Sequence, residues 1–144
     1  MKLLTLEDLI TSSGKYPERA NSPELTAELK ANGADLVKRI NNLLKDIYTI
    51  DVKVSSGFRP SSVNSTIPNA AKRSLHMTLK ACDISDPQGK LRDILLKNVD
   101  EKSNSTDDVL TKYGLWLENP QATKGWIHLD AGVRTPRKRK VFNP

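Results

Sequence analysis

Leu36, Val37, Ile40, Leu43, Leu44 and Ile47 recur at intervals of three and four residues, which gathers them on one side of a helix. The stripe predicts a scaffold helix buried against a sheet. Upstream, Ser22-Pro23 reads as a helix start, because proline in the first helical position gives up no needed donor. Leu25 and Leu29 mark the face of that segment, and Asn32-Gly33 either interrupts the helix or separates two. A shorter helix is predicted after Thr5, whose side chain caps a first turn holding Glu7 and Asp8, carboxylates that suit the positive end of the helix dipole. Leu6, Leu9 and Ile10 form its apolar side, and Thr11 to Asn21 predicts a loop.

From Tyr48 to Phe58 the period changes to two. Ile50, Val52 and Val54 alternate with polar residues, so a strand leads into Ser-Ser-Gly-Phe-Arg-Pro. Pro60 to Ala71, dominated by Ser, Asn and Pro, predicts a long ordered loop that carries side chains to a site. Ala81 to Ser85 predicts a short strand ended by the turn Asp86-Pro87-Gln88-Gly89. Leu91, Ile94, Leu95 and Val99 predict a further helix, followed by a polar Ser-Asn-Ser-Thr loop. Thr106 is the expected cap of a helix running to Tyr113, with Gly114 as its stop. Leu115 to Glu118 and Trp126 to Asp130 predict two strands joined by Asn-Pro-Gln-Ala-Thr-Lys-Gly. In the second, alternation sends Trp126, His128 and Asp130 to one face and Ile127 and Leu129 to the other, a chemical face and a core face. Helices and short strands in mixed order predict an α+β domain with a small antiparallel sheet packed with helices.

At 144 residues, one domain is expected, with residues 1–133 as its body and 134–144 as a basic tail. Arg134, Arg137, Lys138, Arg139 and Lys140 supply five of the six net positive charges, so the body is close to neutral and does not read as a DNA-binding domain. The tail is expected to be a solvated end; nucleic acid would be a partner only through it. The single cysteine, Cys82, cannot form an internal disulfide and reads as a buried apolar side chain. Glu7 and Asp8 break the apolar run near Met1, which argues against a secretion signal. No run reaches the roughly 20 apolar residues that span a bilayer, so a soluble product made in a cytoplasm is expected.

Both histidines, His76 and His128, are candidates for chemistry, and Asp83 lies seven positions after the first. Two imidazoles and a carboxylate form a zinc ligand set that leaves a fourth position open, as catalytic rather than structural zinc requires. Efficient amide hydrolysis also needs a group that moves protons to the leaving amine. Glu118, ending the strand before that of His128, and Asp130, about 7 Å along the ligand's own strand, are the candidates.

Ser56-Gly57-Phe58-Arg59-Pro60, Asn64, Ser74-Leu75-His76, Ala81-Cys82-Asp83-Ile84 and Trp126-Ile127-His128-Leu129-Asp130 together resemble the D-Ala-D-Ala carboxypeptidase and Hedgehog-like zinc peptidases. That group includes phage endolysins and virion proteins, and the resemblance runs from Val54 to Arg134. It implies a Hedgehog/DD-peptidase-like fold, zinc on His76, Asp83 and His128, and Arg59 as a residue that holds substrate or stabilises charge on its carbonyl. Ser74 would orient the metal loop or contact substrate, and Trp126 would wall the pocket. Two departures stand out. Leu79 replaces a glycine of the family pattern and is expected to add bulk beside the metal loop, and Gly125 occupies the position where many relatives carry a glutamate base.

The implied function is a zinc-dependent peptidoglycan peptidase of phage or prophage origin that cuts D-amino-acid-containing stem peptides. It would leave the host cytoplasm through a holin-opened membrane or travel in a virion. The alternative is a peptidase-fold virion or wall-binding protein with impaired catalysis.

Overall fold

A computed structural model of the chain describes residues 2–11, 17–47, 51–99, 108–135 and 140–144. Its α-helices are α1 (Leu6–Ile10), α2 (Ala27–Asp46), α3 (Ser61–Asn64), α4 (Lys90–Asn98) and α5 (Val109–Tyr113). Its strands are β1 (Val54–Ser56), β2 (Ala81–Ser85), β3 (Trp116–Glu118), β4 (Trp126–Asp130) and β5 (Val141–Phe142). They form one sheet in the order β1-β2-β4-β3-β5. The first four are antiparallel to their neighbours, whereas β5 joins β3 in parallel, so the expected α+β domain has a mixed sheet.

The stripe on α2 explains the packing. Leu36, Ile40, Leu43 and Leu44 are buried in one cluster with Cys82 and Ile84 of β2, Leu117 of β3 and Ile127 and Leu129 of β4. Each such leucine or isoleucine contributes about 1.5–3 kcal/mol by leaving water. Alternation then leaves the opposite sheet face to Asp83, His128, Asp130, Trp116 and Glu118.

Several boundaries differ from expectation. Helix α2 starts after Thr26, whose hydroxyl accepts from Leu29 N, while Ser22-Pro23 forms a preceding turn in which Leu25 N donates to Ser22 O. Asn32-Gly33 does not break it. Gly33 is buried, and a Cβ there would lie 2.6 Å from Leu6 Cδ1 and 3.3 Å from Leu79 Cδ1, so the missing side chain lets α1 and the loop before β2 close on α2. The stretch Pro60 to Ala71 begins with the single turn α3 rather than being loop throughout. Asp108 caps α5 through Thr111 N; Thr106, the expected cap, lies outside the described residues, as do the Ser-Asn-Ser-Thr loop and Tyr48 to Ile50. The turn at Asp86 forms as expected, and its carboxylate also accepts from Leu91 N and Arg92 N to cap α4.

The C-terminal stretch is more than a solvated end. Leu117 N donates to Lys140 O and Asn119 N to Phe142 O, which fixes β5 on the sheet edge. No described helix is long and apolar enough to cross a membrane.

Candidate metal centre

Asp83 and His128 stand directly opposite each other on β2 and β4, and facing residues of an antiparallel pair share a sheet face. His76 reaches them from the 3-10 turn Leu75–Thr78 that precedes β2. Ser74 starts this turn by accepting from His76 N through its hydroxyl. His76 Nδ1 lies 2.8 Å from Gly57 O. A carbonyl only accepts, so Nδ1 carries a hydrogen, which leaves Nε2, 3.4 Å from Asp83 Oδ1, as the nitrogen turned toward the site. His128 Nδ1 lies 2.8 Å from the same Asp83 oxygen, and its Nε2 lies 2.9 Å from Asp130 Oδ2. One ligand atom from each of His76, Asp83 and His128 falls within 4.8 Å of the others.

The remaining atoms of this trio are held from behind. Gly57 O fixes His76, Asp130 fixes His128, and Arg59 Nη2 binds Asp83 Oδ2 at 3.3 Å. Such outer partners set ring tautomer and orientation in metal sites, so the donor set fits zinc in chemistry and in support.

Charge follows the geometry. Burial opposes ionisation of Asp83, but the charge of His76 and hydrogen bonding with His128 and His76 hold its carboxyl well below the usual range. Burial also opposes protonation of His128, yet hydrogen bonds to Asp130 and Asp83 raise it to about 9. Asp130 is likewise lowered despite its burial, through His128 and Arg134. In the metal-free protein at neutral pH, His128 is therefore an imidazolium between two carboxylates.

The other sequence candidates separate by position. Arg59 is largely buried, with Nε on Ser56 Oγ and Nη2 on Asp83, and burial lowers its pKa more than Asp83 raises it. Ser74 is the cap of the histidine turn. Trp126 is 38% exposed at the start of β4, on the His128 face. Glu118 is half-buried. Carried on by one residue, the register that pairs Trp116 with Asp130 and Leu117 with Leu129 brings Glu118 alongside His128. Asp130 is fully buried and is occupied by His128, Gly132 N and both terminal nitrogens of Arg134. It is built to hold the ring of His128 and presents no exposed surface for carrying protons.

Both departures from the family pattern have local explanations. Leu79 does not crowd the metal loop: its side chain is fully buried toward Gly33 of α2. Its φ of +56° is a left-handed conformation that glycine adopts freely and that costs an L-residue roughly 1–2 kcal/mol. Gly125 has a φ of +91°, a backbone that side-chain-bearing residues rarely adopt. Cys82 is buried as expected, and burial together with Asp83 pushes its thiol well up.

The Peptidase M15 family model matches residues 2–130. The chain belongs to the Peptidase M15 family. Membership supports a peptidase, and the His76, Asp83 and His128 cluster accords with metallopeptidase chemistry. No curated protein and no solved structure matches the chain significantly. The M15 match ends at Asp130, so Arg134 and β5 lie beyond it. Sequence reasoning missed Gly57, Arg134 and Phe142 as parts of the site; the Asp130 to Arg134 spacing of four was the one available signal, hidden among tail charges.

Proposed function

We propose that the chain is a zinc-dependent peptidoglycan peptidase, encoded by a phage or prophage, that cuts a peptide bond in D-amino-acid-containing wall stems. The observation that carries this reading is the convergence of His76 Nε2, Asp83 Oδ1 and His128 Nδ1, each on a side chain whose other polar atom has a protein partner.

Zinc on His76, Asp83 and His128 would polarise the scissile carbonyl and acidify a water molecule. The protein's own groups do the rest. Gly57 O and Asp130 keep the two imidazoles in register. Arg59, anchored by Ser56 and Asp83, has no hydrogen-bond partner on Nη1 among the described residues and offers that nitrogen to a substrate oxygen. Glu118, beside His128 on the open sheet face, accepts a proton from the attacking water and returns one to the leaving amine. Trp126 at the rim supplies an apolar wall for the peptide, and Ser74 acts by holding the histidine turn. Delivery from the host cytoplasm would use a holin-opened membrane or packaging in a phage particle.

One observation favours the alternative, a catalytically impaired virion or wall-binding protein: Gly125 leaves the common base position without a side chain. Digestion of purified peptidoglycan by zinc-loaded wild type, His76→Ala and Glu118→Gln decides between them. The peptidase reading expects released stem peptide from wild type and little from either variant. Zinc binding by wild type without any digestion would support the alternative.

A further inference from the structure

We propose that Gly132, Arg134 and Phe142, all beyond the matched M15 region, form a buttress that fixes the ring of His128 for metal binding. Arg134 and Phe142 are positioning residues in this buttress, and the inference rests on the zinc-site reading above.

The contacts run in series. His128 Nε2 is 2.9 Å from Asp130 Oδ2. Asp130 accepts Arg134 Nη1 on Oδ1 at 2.5 Å and Arg134 Nη2 on Oδ2 at 2.9 Å, while Gly132 N donates to Oδ1 at 3.0 Å. A single hydrogen bond lets a carboxylate turn about its own axis; the guanidinium fork fixes its plane, and with it the direction offered to His128. Arg134 is fixed in turn by aromatic rings, with its guanidinium carbon 3.8 Å from the centroid of Phe142 and 5.2 Å from that of Trp116. The ring of Phe142 also meets His128 edge-on at 5.9 Å.

Gly132 makes the return turn possible. A Cβ there would lie 2.7 Å from Leu75 Cδ1, 3.0 Å from Arg134 Nη1 and 3.2 Å from Asp130 Oδ1. Asp130 is fully buried, and a buried ion pair is a weak source of net stability compared with apolar packing of the same volume. What this pair supplies is direction, aimed at a ligand. Strand β5 thus has two jobs on two faces: Val141 faces the core, and Phe142 faces the site.

The test compares the full chain with Arg134→Gln, Phe142→Ala, Phe142→Tyr and the core-facing control Val141→Ala. Zinc affinity is measured by chelator competition, and the imidazole nitrogen shifts of His128 are recorded by NMR in the zinc-free proteins. Arg134→Gln and Phe142→Ala are expected to weaken zinc binding by about 10- to 100-fold, the range for lost outer-shell partners, and to shift the His128 nitrogens. Phe142→Tyr keeps the ring and should restore both readouts, and Val141→Ala should lower stability while leaving both unchanged. Should Arg134→Gln fail to fold, Arg134→Lys keeps the charge without the fork and carries the same expectation. Equal zinc affinity and unchanged His128 signals in Arg134 and Phe142 variants would overturn the buttress. Equal losses in Val141→Ala and Phe142→Ala would also overturn it, since the strand would then act only through folding. Failure of wild type to bind zinc would instead count against the zinc reading, with the nitrogen shifts still testing the buttress by themselves.

Discussion

Putting a glutamate back at position 125 should harm this protein rather than improve it. Gly125 has a φ of +91°, outside the small left-handed region that L-residues tolerate best. A Cβ built there has no neighbour within 4 Å, so no steric collision contributes and the cost is backbone strain alone. That strain is about 1–2 kcal/mol, enough to reduce the folding equilibrium constant roughly 5- to 30-fold. Because the Cβ is the cause, Gly125→Ala should lose as much stability as Gly125→Glu. Gly125 O also accepts from Asp86 N, so relaxation of the loop would disturb the turn that caps α4. The assay is urea unfolding of the three proteins, with peptidoglycan digestion alongside. Unchanged stability in Gly125→Glu together with a large gain in activity would refute the reasoning and show that the base position is vacant by sequence alone.

Other outcomes follow from the same geometry. Glu118→Gln should lower kcat by about 10²- to 10⁴-fold with zinc affinity unchanged; an unaltered kcat would remove Glu118 from the chemistry. Stability of the zinc-free protein should depend on pH through His128. Its folded pKa, about 9, lies above the ordinary 6.5, so its stabilisation is complete below pH 6.5 and is lost as pH rises through 9. The size is at most roughly 3–4 kcal/mol, read from unfolding midpoints across that window, and a flat profile would contradict it. Asp83 acts in the opposite sense: its lowered pKa stabilises the fold above the ordinary carboxylate value and the contribution fades as pH falls below it. Leu79→Gly should relieve a left-handed backbone but remove a fully buried side chain, leaving the protein less stable by about 1–3 kcal/mol; a gain in thermal midpoint would argue that strain outweighs packing.

The parts of the fold that could be read from the chain are those where periodicity and burial coincide. The α2 stripe and the alternation in Trp126-Ile127-His128-Leu129-Asp130 both assign a buried face directly, and the second also places His128 on the open face. Boundaries were harder, because Ser22-Pro23 and Thr26 are both good start signals and only the hydroxyl contact to Leu29 N separates them. Gly33 looks like a helix breaker in sequence and is a close-packing point in three dimensions, a distinction that requires knowing where Leu6 and Leu79 sit. The two-residue strand β5 is too short to show a period, and its neighbours are dominated by basic residues, so Phe142 gave no sign of reaching His128. The same charge run concealed Arg134, whose partner is fixed by a turn through Gly132.

The central claim is that His76, Asp83 and His128 form a zinc site. Metal analysis of the purified protein after equilibration with zinc and removal of excess tests it most directly. Zinc retained in a stoichiometric amount by wild type and lost in His76→Ala is the predicted result, whereas wild type that holds no more zinc than His76→Ala would contradict the account.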